Sequence, residues 1–338
     1  MKKNELINRW YSDEGTALLN SIIWAFSKKK ELEEIVKLNK YGGRWDLRGA
    51  PLSHIVDQKK IGDSKYQINL TTGSLSVTKY DFVDIDFTYA DISYGTFQEC
   101  SMDNCLLSRT KAREMHIYDC NFNNCVFEHV EFSYSFMNDN IGNHAGSYTN
   151  CKFIKSKLNE CIFTFPVIDN CLFDDCHLYA TNFDGSRMRN TKFKGEVNSC
   201  IFRSFSRHAV KSVFWLFNRV HPNDYPNRMD NIDFSEAQMY GVSFLNGINL
   251  DKCKFPDEEE LLLIRDLKSI YALASKRIAE EWEGEHKRIG LNLINNVFFN
   301  KDKQNQPADL LDKKMMRDNN GIGERFFGLM TELANKSN

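Results

Sequence analysis

A large apolar residue returns at every fifth position between Asp81 and Met137. A small residue stands two places before most of these positions, and the residue between them is often polar. A five-residue period drifts out of phase with a helical turn and does not match the two-residue alternation of a strand. The stretch therefore predicts a repeat architecture. Its apolar positions are Phe82, Phe87, Ile92, Phe97, Met102, Leu107, Ala112, Ile117, Phe122, Phe127, Phe132 and Met137.

The unit of a small residue, a polar residue, a central Leu or Phe and two variable residues, as in Cys120-Asn121-Phe122, resembles the pentapeptide-repeat family. That resemblance implies a mainly β fold, a right-handed quadrilateral parallel β-helix with one pentapeptide on each side. No coil can bury its own top and bottom, so stability would come from stacking neighbouring coils. The predicted interior includes Phe82, Phe87, Phe97, Phe122, Phe127, Phe132, Phe153, Phe163, Phe173, Phe183, Phe193, Phe234 and Phe244.

The five-residue frame extends over residues 45–256 and breaks at three places, which predicts insertions at 53–79, 138–147 and 203–228. The open ends of a repeat rod need covering elements. Residues 1–44 carry an apolar face typical of helices and predict an α-helical N-terminal cap that ends at Gly42 and Gly43.

Residues 257–338 predict a C-terminal helical region. Pro256 followed by four acidic residues is typical of a helix start. A stripe from Ile264 to Trp282 continues the pattern, and a second amphipathic helix surrounds Phe326. The resemblance implies a homodimer through such C-terminal helices. Packing of these helices against the final coil is the alternative prediction.

The ten cysteines all lie two residues before a central apolar position. This pattern predicts small buried side chains, stacked in thiol columns, instead of metal ligands or disulfides. We therefore expect no metal and no other cofactor. Free thiols in this number indicate a reducing, cytoplasmic location. The cysteines are Cys100, Cys105, Cys120, Cys125, Cys151, Cys161, Cys171, Cys176, Cys200 and Cys253.

The sequence contains no catalytic motif that stands out. It has neither a nucleophile elbow nor a Walker loop. Glu283 and His286 form a single carboxylate–imidazole pair with no second copy, as on a solvated helix face. Hexapeptide acyltransferases repeat every six residues, which does not fit, and no apolar run is long enough to cross a membrane. We expect a non-enzymatic protein without membrane contact.

Charge is nearly balanced overall, with 44 basic and 46 acidic residues, so direct nucleic-acid binding is not expected. Residues 81–140, however, contain eleven acids and three bases, a net charge of −8, and residues 141–202 are nearly neutral. We expect an acidic wall of the rod to bind a protein partner. Its candidate residues are Asp84, Asp86, Asp91, Glu99 and Asp103.

The insertion at 203–228 is a second candidate contact. It contains an aromatic cluster followed by a base, namely Phe214, Trp215, Phe217 and Arg219. Two interpretations stay open. The segment folds back on the rod as a short helix, or it exposes aromatic anchors of the kind that dominate protein interfaces.

Some pentapeptide-repeat proteins resemble duplex DNA in girth and charge and bind the DNA site of type II topoisomerases. The resemblance therefore implies an alternative function, mimicry of DNA at an enzyme such as gyrase. The acidic section permits this hypothesis, and the basic residues of 141–202 weaken it.

Overall fold

The structure, a computed structural model, describes residues 2–35, 37–53, 75–139, 146–205, 226–298, 302–303, 305–316 and 321–337. The central part of the chain winds into a rod whose sides are sheets of short parallel strands. Strands that neighbour each other in a sheet come from successive coils. Phe122, for example, pairs with Met102 in the coil before and with Tyr148 in the coil after. The predicted four-sided parallel β-helix is confirmed.

The rod has four sides, which we number faces 1 to 4 in chain order. Face 1 contains the strands Ser76–Thr78, Thr96–Gln98, His116–Tyr118, Phe136–Asp139, Ile162–Thr164, Asn182–Asp184, Ile201–Arg203 and Ser243–Leu245. Face 2 contains Asp81–Val83, Ser101–Asp103, Asn121–Asn123, Ser147–Thr149, Val167–Asp169 and Arg187–Arg189. We number coils 1 to 8 by their inward residues on face 1, which are Val77, Phe97, Ile117, Met137, Phe163, Phe183, Phe202 and Phe244; coil 8 is the final coil.

Face 3 is the longest sheet, and face 4 is the narrowest side. Face 3 contains Arg44–Asp46, Ile85–Asp86, Leu106–Ser108, Val126–Glu128, Lys152–Ile154, Leu172–Asp174, Lys192–Asn198, Ile232–Tyr240 and Cys253–Lys254. Face 4 is held by single-residue bridges that join Pro51, Asp91, Lys111, Glu131, Lys157 and His177. The two long strands of face 3 continue this side in coils 6 and 7.

The edge between faces 2 and 3 explains why polar residues recur at fixed places. One residue per coil adopts a left-handed backbone there, with φ between 49° and 57°. Among residues with a side chain, Asn and Asp tolerate this region best. The sequence supplies them in seven coils as Asp84, Asn104, Asn124, Asn150, Asn170, Asn190 and Asn231. The backbone conformation of the corner at this edge therefore explains the recurring Asn and Asp.

The interior of the rod is a set of stacked aromatic rings. All thirteen phenylalanines predicted to lie inside are buried. On face 3, ring centroids are 4.7 Å apart between Phe153 and Phe173 and 4.8 Å apart between Phe173 and Phe193. These separations equal the spacing of neighbouring strands, about 4.8 Å. Each ring therefore packs on the equivalent ring of the next coil.

The small inward residue of each repeat has a second role besides its size. At most positions where it is Cys, Ser or Thr, its side chain donates a hydrogen bond to the carbonyl oxygen of a central residue in the preceding coil. Thr110 Oγ1 lies 2.8 Å from the oxygen of Phe87, and Cys171 Sγ lies 3.3 Å from that of Tyr148. Cysteine, serine and threonine can therefore share this position, because each is small and each carries a donor.

The N-terminal segment covers the first coil. Helix α1 (Lys3–Asn8) and a 3₁₀ turn (Arg9–Tyr11) lead into α2 (Asp13–Lys28), and a second 3₁₀ turn (Leu32–Glu34) follows. Phe26 of α2 packs its ring 5.1 Å from that of Phe82 at the open end of the rod. The apolar face of the segment is thus buried against the first coil.

The predicted helix end at Gly42 and Gly43 is wrong. Helix α2 ends at Lys28, and Lys29 takes the left-handed conformation at its C-terminus with φ 57°. The two glycines, with φ 57° and 83°, instead form the turn of a small antiparallel hairpin between Lys40–Tyr41 and Arg44–Asp46. A hairpin turn needs positive φ as much as a helix end does, so glycine alone did not distinguish them.

The repeat frame starts earlier than its sequence suggested. Val77 is buried, and its strand pairs with Thr96–Gln98 on face 1, so the insertion predicted at 53–79 ends before Leu75. Ser147 likewise already belongs to a strand of face 2. Residues 54–74, 140–145 and 206–225 lie outside the described residues.

Two of the insertions leave the rod at the same edge, between faces 1 and 2, in coils 4 and 7. At each exit an asparagine side chain bonds backbone groups of the preceding coil. Asn138 Oδ1 accepts from the amide of Cys120 at 2.7 Å, and its Nδ2 donates to the Cys120 carbonyl at 2.8 Å. Asn227 Oδ1 accepts from the amide of Met188 at 3.0 Å. These side chains thus satisfy backbone hydrogen-bonding groups at the points where the chain leaves the rod.

The predicted helix start after Pro256 is also wrong. Leu261–Arg265 is a strand that pairs antiparallel with Ala308–Asp312. Leu263 packs against the rod, whereas Ile264 packs against the C-terminal helices, so both sides of the strand are covered. A strand that is apolar on both sides shows no alternation, which explains why its sequence resembled a helix. The helices are α3 (Leu267–Glu281), α4 (Gly284–Asn292) with a π turn (Leu293–Phe298), and α5 (Ile322–Ser337) after a 3₁₀ turn (Lys313–Met316).

This two-stranded sheet closes the far end of the rod, and Gln306 joins the two parts. Its side chain is buried, and Oε1 accepts from the amides of Gly247 at 2.9 Å and Ile248 at 3.1 Å. Its Nε2 donates to the carbonyls of Ile248 at 2.7 Å and Ala308 at 2.9 Å. Packing of the C-terminal region against the final coil is therefore what the structure shows within one chain.

Candidate protein-binding surface

Face 2 presents a group of carboxylates in coils 1 and 2. Asp84 Oδ1 accepts from Asn104 Nδ2 at 2.6 Å, and Asp103 Oδ1 accepts from Asn123 Nδ2 at 2.8 Å. Asp81 is bonded in the same way by Ser101. Each acid is thus held by the amide or hydroxyl of the next coil. We call Asp81, Asp84, Glu99 and Asp103 the face 2 acids, with Glu99 on the edge towards face 1.

Their neighbours are mostly uncharged. Asn121 and Ser147 continue the row of Asp81, and Asn123 and Thr149 continue that of Asp103. Lys79 and Arg44 border the group: Lys79 Nζ lies 3.3 Å from Glu99 at the surface, and Arg44 donates to Asn104 Oδ1 at 2.9 Å beside Asp84. Exposed pairs of this kind contribute little stability. The remaining carboxylates therefore keep a negative field on this part of the rod.

Two of the acids predicted for the wall lie elsewhere. Asp86 is buried on face 3, where Oδ1 accepts from the amide of Thr88 at 2.8 Å, so it is a turn residue and not a partner contact. Asp91 lies on face 4, 3.8 Å from Lys111. The prediction placed them together because they are close in sequence, but a coil turns through four sides in twenty residues.

Face 4 balances its own charge. Lys111 follows Asp91 in the next coil, and Glu131 and then Lys157 continue the alternation. Glu131 lies 3.7 Å from Lys157 and 3.8 Å from Arg113. Opposite charges on adjacent strands stabilise their pairing, whereas like charges oppose it. This side is therefore a poor continuation of an acidic wall.

The aromatic candidates of the insertion, Phe214, Trp215, Phe217 and Arg219, lie outside the described residues. The described flanks fix where the insertion begins and ends. Ile201–Arg203 is the face 1 strand of coil 7, and Met229 is the buried residue on face 2 of the same coil. The two described ends of the insertion therefore lie at the edge between faces 1 and 2, five coils beyond the acids of coil 2.

A comparison with solved structures finds several rods of the same type. QnrB1, a plasmid-mediated fluoroquinolone resistance protein, is 14% identical, covers 50% of this chain and 84% of its own, and gives a TM-score of 0.26. HetL from the cyanobacterium Nostoc sp. strain PCC 7120, a pentapeptide-repeat protein involved in heterocyst differentiation regulation, is 7% identical, with 54% and 90% coverage and a TM-score of 0.27. Rfr23 from the cyanobacterium Cyanothece 51142 is 12% identical, with 43% and 79% coverage and a TM-score of 0.20.

These neighbours are pentapeptide-repeat proteins. At such identities and scores the likeness carries no argument about a partner, and the fold assignment rests on the strand pairing described above. No protein-family model and no curated protein sequence matches the chain.

A cleft of about 720 Å³ lies between the N-terminal helices and the first strands of the rod. Its charged centre is Asp46, which accepts hydrogen bonds from Arg9 at 2.7 Å and from Arg48 at 2.8 Å. Burial opposes the ionisation of Asp46, but the hydrogen bonds from Arg48 and Arg9 outweigh it and hold its pKa well below the ordinary value. The carboxylate is therefore a fixed partner of two arginines and joins the N-terminal cap to the rod.

The described part of the chain shows no group of three or more metal-ligating side chains. None of its helices is long and apolar enough to cross a membrane. The ten cysteines are free; nine are buried and Cys253 is half-buried. Burial raises the pKa of Cys161, Cys176 and Cys200 to about 12. These thiols stay protonated near neutral pH and are poor nucleophiles and poor metal ligands.

The buried thiols predict that the protein loses stability in alkali. A thiol in the unfolded chain ionises near pH ~8.5, whereas these three ionise near 12 in the fold, so the native state holds more protons between the two values. Stability then falls as pH rises, by about 2 kcal/mol per thiol between about pH 8 and about pH 10. Urea unfolding at the two pH values measures the loss.

Cys200→Ser is the matched variant, because a hydroxyl can still donate to the carbonyl of Leu178, which Cys200 Sγ contacts at 2.8 Å. We expect its alkaline loss to be about 2 kcal/mol smaller than that of the parent protein. An equal loss in both proteins would show that Cys200 does not titrate as its burial requires.

The sequence prediction did not sort the acidic residues by the face of the rod on which they lie. The signal was present, because residues twenty positions apart share a face, and selecting every fourth repeat separates the face 2 acids from Asp86 and Asp91. The asparagine edge was also detectable as the residue two places after each central residue on face 2, from Asn104 to Asn190.

Proposed function

We propose that this protein is a non-enzymatic binding scaffold that holds a protein partner against the face 2 acids. The observation that supports this most directly is the fixed spacing of Asp81, Asp84 and Asp103, each held by a side chain of the next coil. Preorganised groups of one sign cost little ordering entropy on binding. The rod holds these carboxylates in fixed positions, and their negative charge attracts the partner.

The partner that fits this surface carries basic side chains at a similar spacing. Asp81 and Asp84 lie in coil 1 and Asp103 lies in coil 2, a step of about 4.8 Å along the rod. Arginine and lysine both suit carboxylates, and arginine can bind two oxygens at once. Association should therefore be faster at low ionic strength and weaker in salt.

The aromatic insertion is the second contact in this proposal. Phe214, Trp215, Phe217 and Arg219 are of the residue types that anchor protein interfaces. The insertion leaves the rod five coils from the acids, a distance of roughly 24 Å. One partner that reaches both sites would bind by two separate contacts.

Mimicry of DNA at a type II topoisomerase such as gyrase is the alternative. Duplex DNA carries a charge every ~1.7 Å over its whole length. The acids on face 2 are concentrated in coils 1 and 2, and coil 6 presents Arg187 and Arg189 on the same face. Arg189 pairs with Asp169 at 2.8 Å. A supercoiling assay with purified gyrase tests this function separately.

The proposed function is tested by capture from the native cell with the full chain as bait. The triple variant Asp81→Asn, Asp84→Asn and Asp103→Asn keeps oxygen acceptors for the next coil but removes three charges. We expect it to lose the partner that the parent protein retains at low salt. Asp91→Asn on face 4 is the control and should retain it.

Thermal unfolding of both variants should match that of the parent, since exposed charges contribute little stability. Undiminished capture by the triple variant would remove face 2 from the proposal, and loss of capture after deletion of 206–225 would assign it to the insertion. Dimerisation through α3 to α5 is a separate hypothesis, which sedimentation of the full chain tests.

A further inference from the structure

The edge between faces 4 and 1 carries a row of exposed tyrosines. Tyr94, Tyr134, Tyr179 and Tyr240 are 48%, 46%, 47% and 42% exposed. Tyr94 and Tyr134 are corner residues with left-handed backbones, and Tyr179 and Tyr240 precede the corner by one residue. Large aromatic side chains in a row on a surface indicate a contact site, whereas single ones need no explanation.

The row has a fixed period. The four tyrosines belong to coils 1, 3, 5 and 7, so each is two coils from the next. Two coils correspond to about 9.6 Å along the rod. The edge is diagonally opposite the asparagine edge that borders the face 2 acids, so it is a different surface from the one proposed above.

This period discriminates between regular peptide conformations. A polyproline II helix presents the same side every third residue, which is about 9.3 Å. An α-helix returns to the same side after seven residues, about 10.5 Å, and a strand after two residues, about 6.8 Å. Over the three intervals of the row, the length of three polyproline II repeats differs from the tyrosine spacing by about 1 Å in total. For three α-helical repeats the difference is about 3 Å.

The coils between the tyrosines add a charge pattern. The corner residues of coils 2 and 4 are Glu114 and Glu160, and that of coil 6 is Ser199. Within the described ranges neither glutamate side chain has an ion pair or a hydrogen bond, whereas the nearby bases Lys111 and Lys157 pair with acids of face 4. Among the described residues, the edge therefore places a carboxylate without an ion pair between two tyrosines in coils 2 and 4, and in coil 6 it places an uncharged serine there.

Arg113 shows how a cation fits this edge. Its guanidinium lies over the ring of Tyr134, 5.9 Å from the centroid. Cations over aromatic faces are stabilised by the ring quadrupole, and arginine does this most often. Proline also packs well on exposed aromatic rings, and a polyproline II backbone leaves its carbonyls free to accept from tyrosine hydroxyls.

We propose that the tyrosine edge binds a proline-rich segment of a partner protein that adopts a polyproline II helix and carries a basic residue in each three-residue turn. Prolines pack on Tyr94, Tyr134, Tyr179 and Tyr240, and the basic side chains lie between them, near Glu114 and Glu160. About ten residues cover the row. This site goes beyond the proposed function, since a partner on face 2 does not require it.

The probe that tests the site is a synthetic peptide of about four Pro-Pro-Arg repeats, titrated calorimetrically into the full chain. We expect saturable binding with a dissociation constant on the order of 10–100 µM. The double variant Tyr134→Ser, Tyr179→Ser should weaken binding at least about tenfold. Tyr11→Ser is the control, because Tyr11 is 68% exposed in the N-terminal cap, and should bind like the parent.

Two comparisons separate shape from charge. A Gly-Ser-Arg peptide of equal length and charge cannot hold the polyproline II helix cheaply and should bind at least about tenfold more weakly. The double variant Glu114→Gln, Glu160→Gln should weaken binding of the Pro-Pro-Arg peptide and reduce its dependence on salt. No saturation, equal affinity for the two peptides, or tighter binding of a basic heptad helix would overturn the proposal.

The tyrosine variants leave the face 2 acids intact, and the aspartate variants leave the tyrosine edge intact. Loss of peptide binding with retained cellular capture would therefore concern this site alone. Loss of cellular capture with retained peptide binding would count against the proposed function alone.

Discussion

Phe173→Asp is expected to prevent the rod from folding. The Phe173 ring is fully buried and lies between the rings of Phe153 and Phe193, with centroids 4.7 Å and 4.8 Å away. A carboxylate in this position has no hydrogen-bond donor or cation to compensate its burial. Because each coil is stabilised only by its two neighbours, one failed coil divides the rod into two short pieces. Circular dichroism should show neither the β signal nor a cooperative melting transition.

The adjacent residue provides the matched control. Leu172 lies on the same strand but points outward, and its partners in the neighbouring coils are Lys152 and Lys192. Leu172→Asp therefore places a carboxylate between two lysines and should change the free energy of unfolding by less than about 1 kcal/mol. A folded Phe173→Asp protein, or equal damage from both variants, would contradict the inward and outward assignment of the strand.

Gln306→Ala is expected to open the C-terminal end of the rod. The substitution leaves the amides of Gly247 and Ile248 and the carbonyl of Ile248 without their partner in a buried interface. Buried groups left unsatisfied cost about 1–3 kcal/mol each, so we expect a loss of roughly 3 kcal/mol or more in urea unfolding. Amide hydrogen exchange at Gly247 and Ile248 should accelerate before that of coils 3 to 5 changes.

Gln238→Ala controls for the change of residue type, because Gln238 is exposed on the long strand Ile232–Tyr240. It should alter neither stability nor exchange measurably. If the two glutamine variants behaved alike, Gln306 would not be the group that joins the C-terminal sheet to the final coil.

The five-residue period predicted the rod because its steric demand is strict and local. Every fifth side chain must fill the interior, as Phe153, Phe173 and Phe193 do, and the residue two places earlier must be small enough to lie beside it. These demands are repeated in each coil and do not depend on distant parts of the chain. Neighbour-only contacts of this kind are the case in which a sequence pattern determines the fold most directly.

The candidate site was less predictable because function on a rod depends on the face and not on the position in the chain. A net charge counted over residues 81–140 adds residues from all four sides. Asp84 and Asp86 are two positions apart, yet one is on the edge of face 2 and the other is buried on face 3. The pattern of acids therefore had to be sorted by coil geometry before it had meaning.

The C-terminal strand could not be predicted from its own residues. Leu261-Leu262-Leu263-Ile264 is apolar throughout, because the rod covers one side and α3 to α5 cover the other. Its partner, Ala308–Asp312, lies more than forty residues away in the sequence. Pairing over such a distance is set by tertiary contacts, and local propensity does not report them.

The edge between faces 1 and 2 accepts added chain length, which can be used to engineer this protein. The chain leaves the rod there in coils 4 and 7, and in each case an asparagine, Asn138 or Asn227, bonds the backbone of the preceding coil. Face 2 resumes in register after both insertions, where Phe122 pairs with Tyr148 and Arg189 with Asp230, and the face 1 strand Phe136–Asp139 contains a bulge at the exit. Equivalent positions along this edge are separated by about 4.8 Å for each coil between them. Peptides grafted at the same edge in coils 5 and 6, near Pro166 and Gly185, would be displayed in line with the natural insertions at distances set by the coil count.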